Sequence, residues 1–218
     1  MRGGQSWLAK LLFALSLVLL GFGLVSLGWY AWPAPIDGVR FEIPAGVLPG
    51  APAESGYASQ EDYVLAVAWP VWVRLGETGT IRVSLLEAGN DGDPDMDREA
   101  QVVLAEPAIT GLPLEPAGRV QAAVAGGQDL VLEWAVTGLT PGEHPGKIAV
   151  SFGFYEEALE ELVPVPVAVV DAGVRVVSLW GLEARLVLWF GLVGLALWGA
   201  LFVLGRVVEG REAFRYSV

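Results

Sequence analysis

The chain has 218 residues, 54% of them hydrophobic, a formal net charge of −12 and no cysteine. The missing cysteines exclude disulfides, thiolate metal centres and a lipidated-cysteine anchor, and they point towards a bacterial envelope protein rather than a eukaryotic secreted one. Between Pro33 and Trp180 there are 22 acidic against 7 basic residues, a balance of −15, while the remainder has 6 basic against 3 acidic, a balance of +3. Such an acidic middle argues against binding nucleic acid or anionic headgroups through that region.

Leu11 to Tyr30 is uncharged and is preceded by Arg2 and Lys10. Twenty residues at ~1.5 Å rise span a hydrocarbon core of about 30 Å. Trp29, Tyr30 and Trp32 follow at the far edge, where amphipathic rings favour the interface, and Pro33 and Pro35 end the helix. A signal peptide cleaved after Gly28 competes with this reading. The apolar run exceeds the usual signal core, so an uncleaved anchor is expected.

From Tyr63 onwards the pattern changes to period two. Strands are expected at Val64 to Trp69, Val71 to Leu75, Thr80 to Leu86, Gln101 to Ala105, Arg119 to Val124, Asp129 to Val136, Lys147 to Tyr155 and Val163 to Val170. In the third of these, Ile81, Val83 and Leu85 alternate with Arg82 and Ser84, as one buried and one wet face require. Turn residues punctuate the strands at intervals of roughly ten residues, a β-sandwich pattern. Glu156 to Leu162 reads as a short helical excursion between strands.

VWVRLGETGTIRVSL, from Val71, resembles the opening strands of bacterial immunoglobulin-like modules. LVLEWAVTGLTPGEHPGKIAVSFGFY, from Leu130, resembles their closing hairpin. The whole chain is similar to bacterial membrane proteins in which such a sandwich runs into a C-terminal span. The resemblance implies an immunoglobulin-like β-sandwich ectodomain and brings no activity with it.

Leu186 to Leu204 forms a second uncharged run, followed by Arg206, Arg211 and Arg215. Short basic flanks stay cytoplasmic. Both termini are therefore expected inside and the middle outside, in a cell membrane. Neither run has an ionisable residue in its interior, which argues against a transport pathway. Gly191, Gly194 and Gly199, with Ala196 and Ala200, are the expected small-residue packing seam. The expected organisation is 1–10 cytoplasmic, 11–32 first span, 33–62 Pro- and Gly-rich lead-in, 63–173 β-sandwich, 174–185 connector, 186–205 second span and 206–218 cytoplasmic tail.

Few residues suggest chemistry. Asp91, Asp93, Asp95 and Asp97 alternate within a loop. Calcium takes six to eight oxygens, and alternate aspartates are one way to gather them. The segment departs from the EF-hand pattern at Gly92 and Pro94, and a solvated acidic loop is the competing reading. His144, the sole histidine, lies in a Pro- and Gly-rich turn and cannot build a zinc centre by itself. No nucleophile elbow, phosphate loop or singled-out carboxylate pair is present. Trp69 and Trp72 flank Pro70, where an exposed indole would serve a protein contact and a buried one the core. These features describe a non-enzymatic, membrane-anchored extracytoplasmic interaction module, held in the lipid bilayer and with a protein partner, as an accessory subunit of a membrane complex. No cofactor is expected, calcium at the aspartate loop being the one candidate; the alternative is an extracytoplasmic ligand or calcium-binding sensor.

Overall fold

The computed structural model describes residues 7–44, 48, 62–87, 101–124, 129–156 and 161–215. They form two compact units: one holds both chain termini, up to Pro33 and from Ser178, and the other is the β unit Ala34–Val177.

The β unit is a sandwich of two five-stranded sheets. One holds β1 (Ile36–Ile43), β2 (Tyr63–Pro70), β4 (Thr78–Glu87), β8 (Leu130–Thr137) and β6 (Leu114–Glu115), in the order β1-β2-β4-β8-β6. The other holds β3 (Trp72–Arg74), β10 (Glu161–Val177), β9 (Gly142–Glu156), β5 (Gln101–Ile109) and β7 (Val120–Val124), in the order β3-β10-β9-β5-β7. Within these lists β2-β4-β8-β6 corresponds to the A-B-E-D sheet of immunoglobulin domains, and β10-β9-β5 to G-F-C. The short β3 runs parallel to the last strand, with Arg175 opposite Trp72 and Val177 opposite Arg74. The fold is thus an immunoglobulin-like sandwich flanked in sequence by two apolar helices.

Alternation builds the core. Leu65, Val67 and Trp69 of β2, Ile81, Val83 and Leu85 of β4, and Leu132, Trp134 and Val136 of β8 all point inward and are buried. They meet Val103, Ile148, Val150, Phe152 and Val174 of the other sheet. Trp134 is fully buried, and its indole N–H donates to the Gly118 carbonyl at 3.3 Å, so its one polar atom is served. The outer faces carry cross-strand ion pairs, Arg82 with Glu133 and Arg175 with Glu143, both at 2.6 Å. These pairs are exposed and add little to stability, on the order of 0–1 kcal/mol each.

Several elements differ from the sequence expectation. β1, in the segment read as a lead-in, and the short β6 are additional strands, β5 runs on to Ile109, β9 begins at Gly142, and β10 extends seven residues beyond Val170, to Val177. The expected helical excursion is absent at its described ends: Glu156 closes β9, Glu161 opens β10, and the two pair with each other.

The other unit is a pair of helices, α1 (Trp7–Ala31) and α2 (Ala184–Arg215). Ala9–Ala31 and Ala184–Val208 are each long and apolar enough to cross a membrane. The two helices pack antiparallel on a glycine seam. A Cβ at Gly23 would meet Leu195 at 3.0 Å and the Gly191 carbonyl at 3.1 Å, and one at Gly191 would meet Leu27 at 3.0 Å. Gly194 also faces α1, near the Leu19 carbonyl, whereas Ala196 and Ala200 are exposed and Gly199 faces open space. The seam therefore runs through Gly191 and Gly194 only, opposite Gly23. Ser16 and Ser26 are buried, and their hydroxyls donate to the carbonyls of Phe13 and Phe22, so neither brings an unserved polar atom into the helix pair.

Before α2 the chain makes a tight turn. Leu182 N–H donates to the Leu179 carbonyl at 3.1 Å, with φ 56° at Trp180 and 74° at Gly181. A positive φ is costly for a bulky residue. Trp180 is held there by stacking on Phe22 of α1, with centroids 4.8 Å apart and planes 5° from parallel. Replacing Gly191 by Leu overfills the seam and should destabilise the helix pair by about 1–3 kcal/mol, whereas Gly199→Leu should be neutral. Thermal or SDS-induced unfolding of the purified variants in detergent measures the difference.

Candidate functional site

The two ends of the sandwich differ. The chain enters at Ala34 and leaves at Val177 at the same end. There Val71 N–H donates to the Pro35 carbonyl, and the Val71 carbonyl accepts from Arg175 N–H, both at 3.0 Å. Arg74, largely buried, adds a side-chain cluster. Its guanidinium pairs with Glu77 at 3.0 Å and lies 4.9 Å from the Trp72 ring centroid.

This cluster bears on the two tryptophans. Trp69 is only 6% exposed, belongs to the core and offers no indole to a partner. The sequence could not separate the two readings, because Pro70 breaks the alternation between the tryptophans. Trp72 is half-buried and supports Arg74. Of the pair, only Trp72 retains a solvent-facing edge.

The opposite end holds the paired strand termini Tyr63 and Glu87, together with Leu130, Glu156 and Glu161. Asp91, Asp93, Asp95 and Asp97 lie outside the described residues. Among the described residues no group of three or more histidine or carboxylate side chains could hold a metal. Tyr63 is buried and its ring lies 6.0 Å from that of Phe152. Burial, and secondarily the negative charge of Glu87 across the strand pair, raises the Tyr63 phenol above its ordinary value of 10.0.

His144 sits differently from its expected turn. It lies in β9, opposite Val174 of β10. Its Nδ1 is 2.9 Å from the Thr110 carbonyl and its Nε2 is 2.8 Å from the Thr140 carbonyl. Thr110 N–H in turn donates to the Pro145 carbonyl at 2.9 Å. The ring therefore ties the end of β5 to the approach to β9. Gly111 allows this, since its φ is 75° and a Cβ there would press on Nδ1 at 3.4 Å. A neutral ring carries one N–H and so donates to one of these two carbonyls at a time, the tautomer deciding which.

Beside His144 the outer face of the second sheet is hollow. A trough of about 590 Å³ is lined by Ala108, Thr110, Pro145, Gly146, Lys147, Asp171, Ala172 and Gly173. Gly173, which faces Pro145, leaves the outward side open, while the Ala172 side chain turns into the core. Lys147 and Asp171 form its charged rim, 3.8 Å apart and both exposed. The sequence held a signal for this surface in Gly173 opposite Pro145. The signal becomes readable only once the β9–β10 register is known.

No protein-family model matches the chain, and no curated protein does. Several solved structures are similar in part. A CARDB domain of the PF1109 protein from Pyrococcus furiosus, described in complex with di-metal ions, is 16% identical over 51% of this chain and 84% of that one, with a TM-score of 0.30. A conjugative transposon lipoprotein from Bacteroides eggerthii is 12% identical over 63% and 95%, with a TM-score of 0.21. AggA, the major subunit of aggregative adherence fimbriae type I from Escherichia coli, is 10% identical over 68% and 98%, with a TM-score of 0.27. The immunoglobulin-like assignment rests on the strand order described above.

Because the Tyr63 phenol is raised in the folded state, it contributes stability that is present below pH ~10 and lost as pH rises through its folded value. A tyrosinate absorbance titration compared with that of Tyr63→Phe should assign to Tyr63 a phenol that ionises above its ordinary value, and the variant should shift alkaline unfolding to higher pH; an unchanged alkaline midpoint would show that Tyr63 does not contribute.

Proposed function

We propose that this protein is a non-enzymatic interaction module anchored in a membrane by both apolar helices, and that it works as an accessory subunit of a membrane complex. One observation carries the reading. Both ends of the β unit leave from the same end of the sandwich, each within a few residues of a helix long enough to cross a bilayer. That arrangement leaves the opposite end and the sheet faces for contacts. The trough bordered by Lys147 and Asp171 supplies a concave surface of the kind that receives a partner's loop or extended strand. His144 fixes the backbone on one side of the trough and so keeps its shape before binding.

We also propose that both termini face the cytoplasm and that α1 is retained. Basic residues at the outer ends of both helices support the first statement. The fit of Gly23 and Leu27 against Gly191 supports the second, because cleavage after Gly28 would strip α2 of its packing partner.

Two experiments bear on these proposals. Tagged protein is recovered from native membranes in mild detergent, with Gly173→Tyr as the test variant. No atom lies within 4 Å of the Cβ position at Gly173, so a tyrosine there fills the trough without strain. A stoichiometric partner present with the natural chain and lost with Gly173→Tyr is the expected result, with Tm unchanged. A partner retained equally by both chains would move the interface elsewhere, and recovery of the chain alone would sink the subunit reading. Single cysteines introduced into this cysteine-free chain report sidedness. A cysteine at Thr140 should react with an impermeant maleimide in intact cells and one at Ser217 should not; the reverse pattern inverts the topology.

A further inference from the structure

His144 is the sole histidine of the chain, and both of its ring nitrogens meet backbone carbonyls, Nδ1 at Thr110 and Nε2 at Thr140, at 2.9 and 2.8 Å. A carbonyl oxygen only accepts, so each contact needs a proton on the nitrogen. The neutral ring has one N–H and turns a lone pair towards the other carbonyl. The imidazolium has two and serves both. The two carbonyls belong to different turns. Thr140 lies four residues ahead of the ring, in the turn into β9. Thr110 lies thirty-four residues away, just past the end of β5.

The geometry points to His144 as a proton-operated clasp: the cation ties the turn after β5 to the turn before β9, and the neutral ring keeps Thr140 and releases Thr110. The local tie is the one kept. The chain already holds Thr140 beside the ring, whereas the Thr110 contact closes a long loop. Thr110 N–H still donates to the Pro145 carbonyl at 2.9 Å, so the released turn pivots about that bond. Gly111, at φ 75°, gives the turn the freedom to do so. The surroundings leave the ring as the group that changes charge near neutrality. Residues 110–113 and 138–141 include no charged side chain, and Val174 stands opposite the ring on β10. On β9, Glu143 pairs with Arg175 and Lys147 with Asp171, both partners lying on β10. Glu106 of β5 pairs with Arg119, and Arg74 of β3 pairs with Glu77. Histidine is the side chain that ordinarily changes charge between about pH 5 and 8. Thr110 also lines the trough beside Lys147 and Asp171, so the state of the clasp reaches that surface whatever occupies it.

The test uses the full-length protein in detergent, with 15N in its one histidine. The two ring nitrogen resonances lie together in the cation and move apart when one nitrogen loses its proton, so they read the state of the ring directly. Hydrogen exchange of residues 108–113, corrected for the intrinsic effect of pH, is followed over the same range. It should quicken roughly ten-fold as the ring loses its proton, the loss of about one hydrogen bond, while residues 147–152 of β9 stay unchanged. His144→Phe has no N–H at any pH and should show the fast exchange throughout. The natural chain decides the matter by itself if that variant fails to fold. Exchange of 108–113 that stays constant while the ring titrates would overturn the clasp. So would a single neutral tautomer from about pH 5 to 8, since a neutral ring cannot make both contacts. Quickening confined to 138–141 would overturn the release of Thr110.

Discussion

Val71 ties the two ends of the β unit together through its backbone, its N–H to Pro35 ahead of the first strand and its carbonyl to Arg175 in the last. The residue stands between β2 in one sheet and β3 in the other, so the crossing from sheet to sheet and the closure of the chain ends are one event. Much else follows from that contact. Pro70 and Val73 crowd the position of a Cβ at Gly79, at 2.9 and 2.7 Å, so β4 can pass beneath the crossing only as glycine. Gly138 is under the same constraint, with the Arg74 carbonyl and Val73 each 3.0 Å from its Cβ position. The backbone bonds from Leu75 to Val177, from Gly76 to Gly138 and from Gly138 to Glu77 complete a knot at one end of the sandwich.

That knot separates two kinds of surface. At the end where the chain enters and leaves, backbone bonds, glycines and the Arg74–Glu77 pair leave little room for a partner. On the broad face of β9 and β10, Gly173 opposite Pro145 leaves a trough beside the segment where the His144 ring meets the Thr110 carbonyl. The helix pair likewise has its close glycine seam where the two backbones approach.

The sequence displayed what burial imprints. β2, β4 and β8 were legible because each has one face in the core, and alternate positions report that directly. β1 was not legible, for the same physical reason. It is an edge strand whose first five residues are all exposed, so Asp37, Gly38 and Arg40 give no alternation to read. The far part of β10 was hidden by Asp171 and Gly173, residues that strands disfavour, whereas Pro164 and Pro166 lie within the part read as a strand. They are tolerated because β3 covers β10 only from Arg175 to Val177, which leaves the proline-bearing half as an edge with a register shift between Pro166 and Ala168. His144 was read as a turn residue because its neighbours are Pro145, Gly142 and Gly146. Its two carbonyl partners, Thr110 and Thr140, are set by tertiary pairing and leave no local trace. The two helices were legible from length and charge, but which small residues form their seam depends on helix rotation, which composition does not encode.

The parallel pairing of β3 with the last three residues of β10 also sets an order of events during synthesis. β3 is made early, yet its partner emerges about a hundred residues later, and Arg175 is also the residue that closes on Val71. Long-range pairing of this kind is slow and leaves edges exposed in the meantime. Only seven residues separate Arg175 from Glu183, just ahead of α2. The sandwich therefore closes only once the chain has been made to within a few residues of α2, so the β unit is completed by nearly the last of its residues to be synthesised.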